Sequence, residues 1–204
     1  ADAARRYDEK APDLSKSLVI AFVGKVSSGK SSLINAFLRR DRSTTVTEVG
    51  ARSGVTTELK VLKLDEHVTI VDSPGLSDLK EENSRRTLER IAQIDVGIFV
   101  VTGSADTSQK ADFDHLRTLC AKIFLVLNKV DEWDDLEESE LHGVVEQWRV
   151  GLGVETLYPT CTKGFNPRTR ADQGMDIRGV DKLRDDVENF VQAEGKALVL
   201  TRVM

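Results

Sequence analysis

The chain has 204 residues, 40% of them hydrophobic and 31% charged, with a formal net charge of −5; that is enough for one domain with a sizeable core and too acidic for broad attraction to nucleic acid, which is not expected as a direct partner. Its two cysteines, Cys120 and Cys161, make neither a disulfide framework nor a zinc-ligand spacing and suit a reducing, cytoplasmic compartment. No apolar run approaches the roughly 20 residues of a membrane helix and no signal peptide is visible, which leaves peripheral attachment to a membrane through other segments open.

Residues 1–17 are polar and charged, with Pro12 among them, and read as a leader or docking segment. An apolar run at 18–23 predicts a strand, and the periodicity over 30–39 predicts a helix. The link between them, "GKVSSGKS", matches G-x-x-x-x-G-K-[ST] in the strand-to-helix context that this pattern requires. Gly24, Lys25, Val26, Ser27, Ser28, Gly29 and Lys30, with Ser31 and Ser32 opening the helix, are the candidate nucleotide-binding residues. Glycines let the backbone curl so that its N–H groups converge on phosphate oxygens, and the helix N-terminus adds partial positive charge. Lys30 is placed to reach the β- and γ-phosphates, and the Ser31 hydroxyl to ligate Mg²⁺. A Gly/Ser-rich turn with a lone lysine is the plainer alternative, and this loop alone does not choose between ATP and GTP.

An irregular stretch at 41–54, long for a connector, is a candidate functional loop and contains Arg52. It leads into "GVTT", where Thr57, or else Thr56, is the candidate to close on Mg²⁺ and the γ-phosphate; paired threonines are equally at home at a strand start. Strands are predicted at 59–64 and 68–71, the second ending in "DSPG". There Asp72 is a candidate to hold Mg²⁺ through a water, and Gly75 to offer its N–H to the γ-phosphate, although Ser-Pro-Gly is also ordinary turn chemistry.

A helix over 82–92, a strand at 96–101, a helix over 108–119 and a strand at 123–127 follow. The last strand runs into "NKVD", Asn128 to Asp131. The Asp131 carboxylate can accept hydrogen bonds from guanine N1–H and the 2-amino group, whereas adenine offers neither donor. The Lys129 stem can lie over the base, and Asn128 can tie loops together; a solvated strand end is the alternative. A helix over 137–148, a strand at 156–158 and a helix over 180–193 complete the pattern, with 195–204 read as a tail leading toward a further segment. The stretch 163–179 carries Lys163, Arg168, Arg170 and Arg178, a loop that would suit an acidic surface or simply face water. Alternation of strand and helix argues an α/β domain with a mainly parallel sheet.

Taken in order, "GKVSSGKSS", "GVTT", "DSPG", "NKVD" and, loosely, "CTK" resemble the motif set of the translation-factor-related class of P-loop GTPases, closest to its Era-like and bacterial dynamin-like groups. The resemblance runs from about Leu18 to Val191 and makes residues 18–194 the GTPase domain. It implies a doubly wound, mainly parallel six-stranded sheet with helices on both faces, and GTP or GDP bound with Mg²⁺ at the carboxyl ends of the strands. It also implies that Cys161, Thr162 and Lys163 stand where a Ser-Ala-Lys loop meets guanine O6. Lys30, Ser27, Thr57 and Gly75 are then the residues around the reacting phosphate. Ser31, Asp72 and one of Thr56 and Thr57 form the metal set. The chain departs from Ras-like enzymes at Leu76, which replaces a water-orienting glutamine, as in Era-like relatives. Ser27 resembles the dynamin-like pattern, with K⁺ or Na⁺ as an added candidate ligand, and Asp106 resembles an acidic residue that acts across a homodimer there. The expected function is a GTP-hydrolysing conformational switch. The alternatives are a P-loop ATPase or kinase, against which "NKVD" argues; a nucleotide-binding module without appreciable hydrolysis, which Leu76 keeps open; and a fragment of a membrane-associated dynamin-like GTPase.

Overall fold

The computed structural model describes residues 18–38, 60–63, 68–72, 94–135, 137–162 and 177–203. The strands are β1 (Leu18–Gly24), β2 (Lys60–Lys63), β3 (Val68–Asp72), β4 (Val96–Val101), β5 (Lys122–Asn128) and β6 (Leu157–Thr160). The helices are α1 (Lys30–Phe37), α2 (Thr107–Leu119), α3 (Glu138–Leu152) and α4 (Val180–Val203), with a 3-10 turn at Val130–Trp133. Among the described residues the sheet has six strands, in the order β2-β3-β1-β4-β5-β6. Edge strand β2 runs antiparallel to β3, and every other pairing is parallel. The helix expected over 82–92, the loop 41–54 and residues 163–176 lie outside the described residues.

Every residue of β1 and of β4 is buried, as continuous apolar runs require when both sheet faces are covered. The pleat divides them. Val19, Ala21 and Val23 join Phe99 and Leu125 on one face, under Phe113 and Leu116 of α2 and Trp148 and Leu152 of α3. Ile20 and Phe22 join Ile70, Ile98 and Val126 on the other, under Leu33, Ile34 and Phe37 of α1 and Leu183 and Val187 of α4. Helices therefore cover both faces, as the doubly wound reading expects. Each fully buried large side chain contributes about 1.5–3 kcal/mol. Aromatic edge-to-face pairs lock one helix to each face: Phe22 with Phe37 at 5.6 Å and Phe99 with Phe113 at 5.3 Å between ring centroids.

Asp95, buried ahead of β4, sets the strand register at the amino edge. Its carboxylate accepts from the Val19 amide at 2.7 Å, its amide donates to the Val19 carbonyl, and its carbonyl accepts from the amides of Ala121 and Lys122. Three strands are thus indexed from one residue. The pairing Phe22 with Asp72, Gly24 with Val100 and Asn128 with Thr160 then brings the ends of five strands to the carboxyl edge.

Helix α4 differs from expectation. It does not end at Ala193 but continues through Gly195 to Val203, so the domain boundary drawn at 194 falls inside a helix. A Cβ at Gly195 would meet Leu18 Cδ1 at 3.3 Å, so close packing on β1 accounts for glycine here without a helix stop. Arg184 of α4 is 6% exposed. Its Nε donates to the Phe37 carbonyl at 2.7 Å, and its guanidinium pairs with Asp181 at 3.0 Å. A cation on the last carbonyls of α1 complements the negative end of that helix and anchors the helix that carries the phosphate loop.

Tyr158 donates to Asp186 at 2.9 Å. Burial, then this hydrogen bond and the nearby carboxylate charge, push its phenol up to about 12 from 10.0. A raised folded-state value means that the contribution is fully present below pH ~10 and is lost as pH rises through ~12. Absorbance at 295 nm should therefore show one of the two tyrosines titrating late, and Tyr158→Phe should remove that step and flatten the fall in stability over this window. A single transition near pH 10 for both tyrosines would contradict the contact.

Candidate functional site

The end of β1 and the loop after it pass through three residues of positive φ: Gly24 at 155°, Ser27 at 63° and Gly29 at 87°. A Cβ on Gly24 would lie 2.1 Å from the Val100 carbonyl oxygen, and one on Gly29 2.4 Å from Asn128 Nδ2. Both glycines are thus required by neighbours as well as by backbone angle. Gly29 has no side chain to cap α1, and the first turn of α1 holds no acidic residue, so the positive end of the helix is left for an external anion. The Lys30 ammonium donates to the carbonyls of Gly24 at 2.9 Å and Lys25 at 2.8 Å. It is thereby held across the loop, with Lys30 only 7% exposed. Ser28 is buried, Val26 and Ser27 are exposed at the crest, and Ser32 is half-buried on α1.

On the other side of α1's first turn, Ser31 Oγ donates to Asp72 Oδ2 at 2.9 Å. Asp72 ends β3 and is 1% exposed. A hydroxyl and a carboxylate side by side next to a phosphate loop are hard oxygen donors of the kind Mg²⁺ takes, so these residues fit that ion. Thr56, Thr57, Gly75, Leu76 and Arg52 lie outside the described residues.

The base-reading candidates meet at the ends of β5 and β6. Asn128, fully buried, donates through Nδ2 to the Ser28 carbonyl at 2.9 Å and accepts at Oδ1 from Thr160 Oγ at 3.2 Å. It does tie loops together, and it ties the phosphate loop to the base side. Lys129 has φ 65°, an uncommon conformation for a non-glycine residue, of the kind that collects at functional sites. It turns the chain into the 3-10 helix that carries Asp131. Cys161 Sγ donates to Asp131 Oδ1 at 3.3 Å, and the Cys161 amide donates to the Arg178 carbonyl. The loosest motif in the sequence, expected at guanine O6, thus lies against the Asp131 carboxylate. Thr162 follows it, and Lys163 lies outside the described residues.

Several partners carry no motif signal. Thr160 is buried and holds Asn128. Arg178, one of the cations of the 163–179 stretch, makes a bidentate pair with Asp134 at 2.7 and 2.8 Å, so this arginine braces the two base-side turns. Two residues that the sequence did single out also meet: Asp106, which the resemblance pointed across a homodimer, pairs with Lys25 of its own chain at the start of α2. The hydrogen bond from Lys25, then that from the Ser108 amide, holds the Asp106 carboxyl down at about 2.

A phosphate loop, a Ser–Asp pair beside it and an Asn-Lys-x-Asp strand end on the carboxyl edge of a doubly wound sheet are the marks of a P-loop GTPase domain. The chain belongs to the family described as 50S ribosome-binding GTPase, which matches residues 19–129, more than half of its length. It is 28% identical over 202 residues to GTPase Era from Lactobacillus delbrueckii subsp. bulgaricus, covering 88% of this chain and 62% of that protein. It is 32% identical over 149 residues to GTPase Der from Nitratiruptor sp., covering 69% and 30%. It is 39% identical over 83 residues to the nuclear GTP-binding protein NUG1 of Saccharomyces cerevisiae, covering 40% and 16%. The chain thus spans less than two thirds of each of these relatives. Among solved structures, Era in complex with MgGDPNP and a segment of 16S ribosomal RNA superposes with a TM-score of 0.57 at 20% identity, over 86% of this chain and 57% of that one. The EngB GTP-binding protein superposes at 0.56 and 18% identity, over 86% and 99%. These last two likenesses concern the fold. The Era-like half of the resemblance is supported by these relatives. Among the described residues, no helix is long and apolar enough to cross a membrane.

Proposed function

We propose that this chain is the switch unit of a GTP-hydrolysing protein, binding GTP with Mg²⁺ and releasing GDP and phosphate. The Asn128 to Ser28 hydrogen bond carries this reading. It locks the strand end that presents Asp131 onto the phosphate loop, so the site suits one ligand bearing both a polyphosphate and a base that pairs with a carboxylate. Lys30 and the amides of the loop and α1 take the phosphate charge. Ser31 and Asp72 would hold Mg²⁺, which when bound neutralises charge building on the β- and γ-oxygens. Thr57, or Thr56 in its place, and Gly75 are assigned to the γ-phosphate, with 41–57 and 75–84 as the switching segments. Thr162 and Lys163 are assigned to the base edge beside Cys161. A net charge of −5 favours no direct nucleic-acid partner for this domain.

Leu76 cannot hydrogen-bond the attacking water, so hydrolysis calls for a positioner from elsewhere. Ser27, exposed at the crest, supports a K⁺ or Na⁺ ion near the β–γ bridge or completion of the site in a homodimer across the nucleotide face. A dynamin-like protein attached to a membrane through other segments is compatible with the same site. The isolated protein should turn over on the order of minutes per GTP or more slowly. Phosphate release should rise by about tenfold or more when a large inert cation is exchanged for K⁺ or Na⁺, or when protein concentration is raised; an arginine supplied in trans contributes about 10³–10⁵ in this reaction class. A fast rate that responds to neither variable would show a monomer with complete machinery and remove this mechanism. No hydrolysis under any condition would leave a binding module.

A further inference from the structure

We infer that Asp106 is a positioning residue acting within its own chain: through Lys25 it braces the phosphate loop, and with it the Lys30 ammonium, against helix α2. The inference rests on the phosphate-binding reading of the loop. The two oxygens of Asp106 are divided between two elements. Oδ1 accepts from the Ser108 amide at 2.8 Å and caps α2, while Oδ2 takes the Lys25 ammonium. Lys25 is the second residue of the phosphate loop, and its carbonyl is one of the two that hold Lys30 Nζ. A continuous path thus runs from the phosphate-contacting ammonium through Lys25 to the first turn of α2. That helix is not loose at its other points. Arg117 donates to the Leu152 carbonyl at 3.0 Å and Lys110 to the Gly151 carbonyl at 3.1 Å, both at the end of α3. The loop is therefore tied to the scaffold on two sides: to the base side through Asn128, and to α2 through Asp106.

Charge makes the pair asymmetric. With both partners present the ion pair adds no net charge beside the phosphates. Removing Lys25 leaves the Asp106 carboxylate facing a site that receives several negative charges, which disfavours nucleotide. Removing the Asp106 charge leaves a cation on the phosphate side and only frees the loop. Both side chains are more than a third exposed, so the pair alone is a modest interaction; its consequence lies in what Lys25 positions.

The test uses the full chain with Lys25→Met, Asp106→Asn and the double variant. Asparagine keeps the helix cap, since it caps as well as aspartate, and deletes the charge. GDP affinity by calorimetry should fall about tenfold in Lys25→Met and about threefold or less in Asp106→Asn, with the double variant better than Lys25→Met alone. In single-turnover hydrolysis, both single variants should lose rate at saturating GTP, a split that helix destabilisation alone would not produce. In the nucleotide-free protein, amide exchange over residues 24–31 should accelerate in all three variants while that of α2 holds. Mixing the two single variants should restore nothing. Full additivity of the two substitutions together with unchanged loop exchange would overturn the inference, whatever the nucleotide. Recovery of rate on mixing would overturn it in favour of action across a dimer. Failure of the unaltered chain to bind GDP would strike the GTPase reading, and the exchange measurement would still decide whether the brace exists.

Discussion

Lys30→Ala should abolish measurable nucleotide binding at micromolar protein, a loss on the order of 10²–10⁴ in affinity for both GDP and GTP. Hydrogen bonds to charged groups contribute about 1.5–3 kcal/mol each, and Lys30 is placed to make more than one. The side chain is already spanned between the Gly24 and Lys25 carbonyls and almost fully buried, so its ammonium needs little ordering when the phosphates arrive. Lys30→Arg should not rescue binding, because a planar fork cannot take the place of a compact ammonium between two loop carbonyls. Calorimetry with GDP reads the effect, and thermal melting of the free protein separates it from unfolding. If the alanine variant melts normally and binds GDP within about threefold of the unaltered chain, the loop is a turn and the phosphate assignment fails.

Much of this site was legible in the sequence because its parts are local. The run Val96–Val101 is apolar on both faces and became a strand with the bounds predicted. Gly24 to Ser31 and Asn128 to Asp131 carry their meaning in spacings of a few residues. What escaped is what lies between distant segments. Asn128 and Ser28 are 100 positions apart, Lys25 and Asp106 are 81, and Asp131 and Cys161 are 30; no local period marks such pairs. Thr160 gave no signal because one buried hydroxyl at a strand end looks like any strand threonine. Arg178 read as part of a basic loop because its Asp134 partner comes 44 residues earlier. The direction of β2 was equally unreadable: four residues, "KVLK", fit either edge pairing, and it is the ladder with β3 that makes it antiparallel. Helix α4 reads in the sequence as ending at Ala193, whereas it continues through Gly195, which packs close to the Leu18 side chain.

Asp131→Asn should reverse the choice of base. In the unaltered chain GDP should bind far more tightly than ADP, by about 10⁴, the scale expected where a site built to pair with two donors on the base meets a base that lacks them. The carboxylate offers acceptors for guanine N1–H and the 2-amino group together, and the Cys161 thiol donates to Oδ1 from the β6 side. That thiol also biases the amide of an asparagine placed there. A donor facing Oδ1 favours the amide carbonyl at that position and turns the NH₂ to the other. The NH₂ then opposes a donor on guanine; with the carbonyl on N1–H, it can donate to the 2-keto oxygen of xanthine. GDP affinity should therefore fall by about 10³–10⁴ and xanthosine diphosphate should become the preferred ligand. ADP should remain weak, since adenine N1 carries no hydrogen for the carbonyl. Calorimetric titration of both proteins with the three diphosphates measures all of this. Equal affinity of the unaltered chain for GDP and ADP would remove guanine recognition altogether. An asparagine variant that keeps GDP within about tenfold would show that Asp131 is a solvated strand end, with selectivity residing elsewhere.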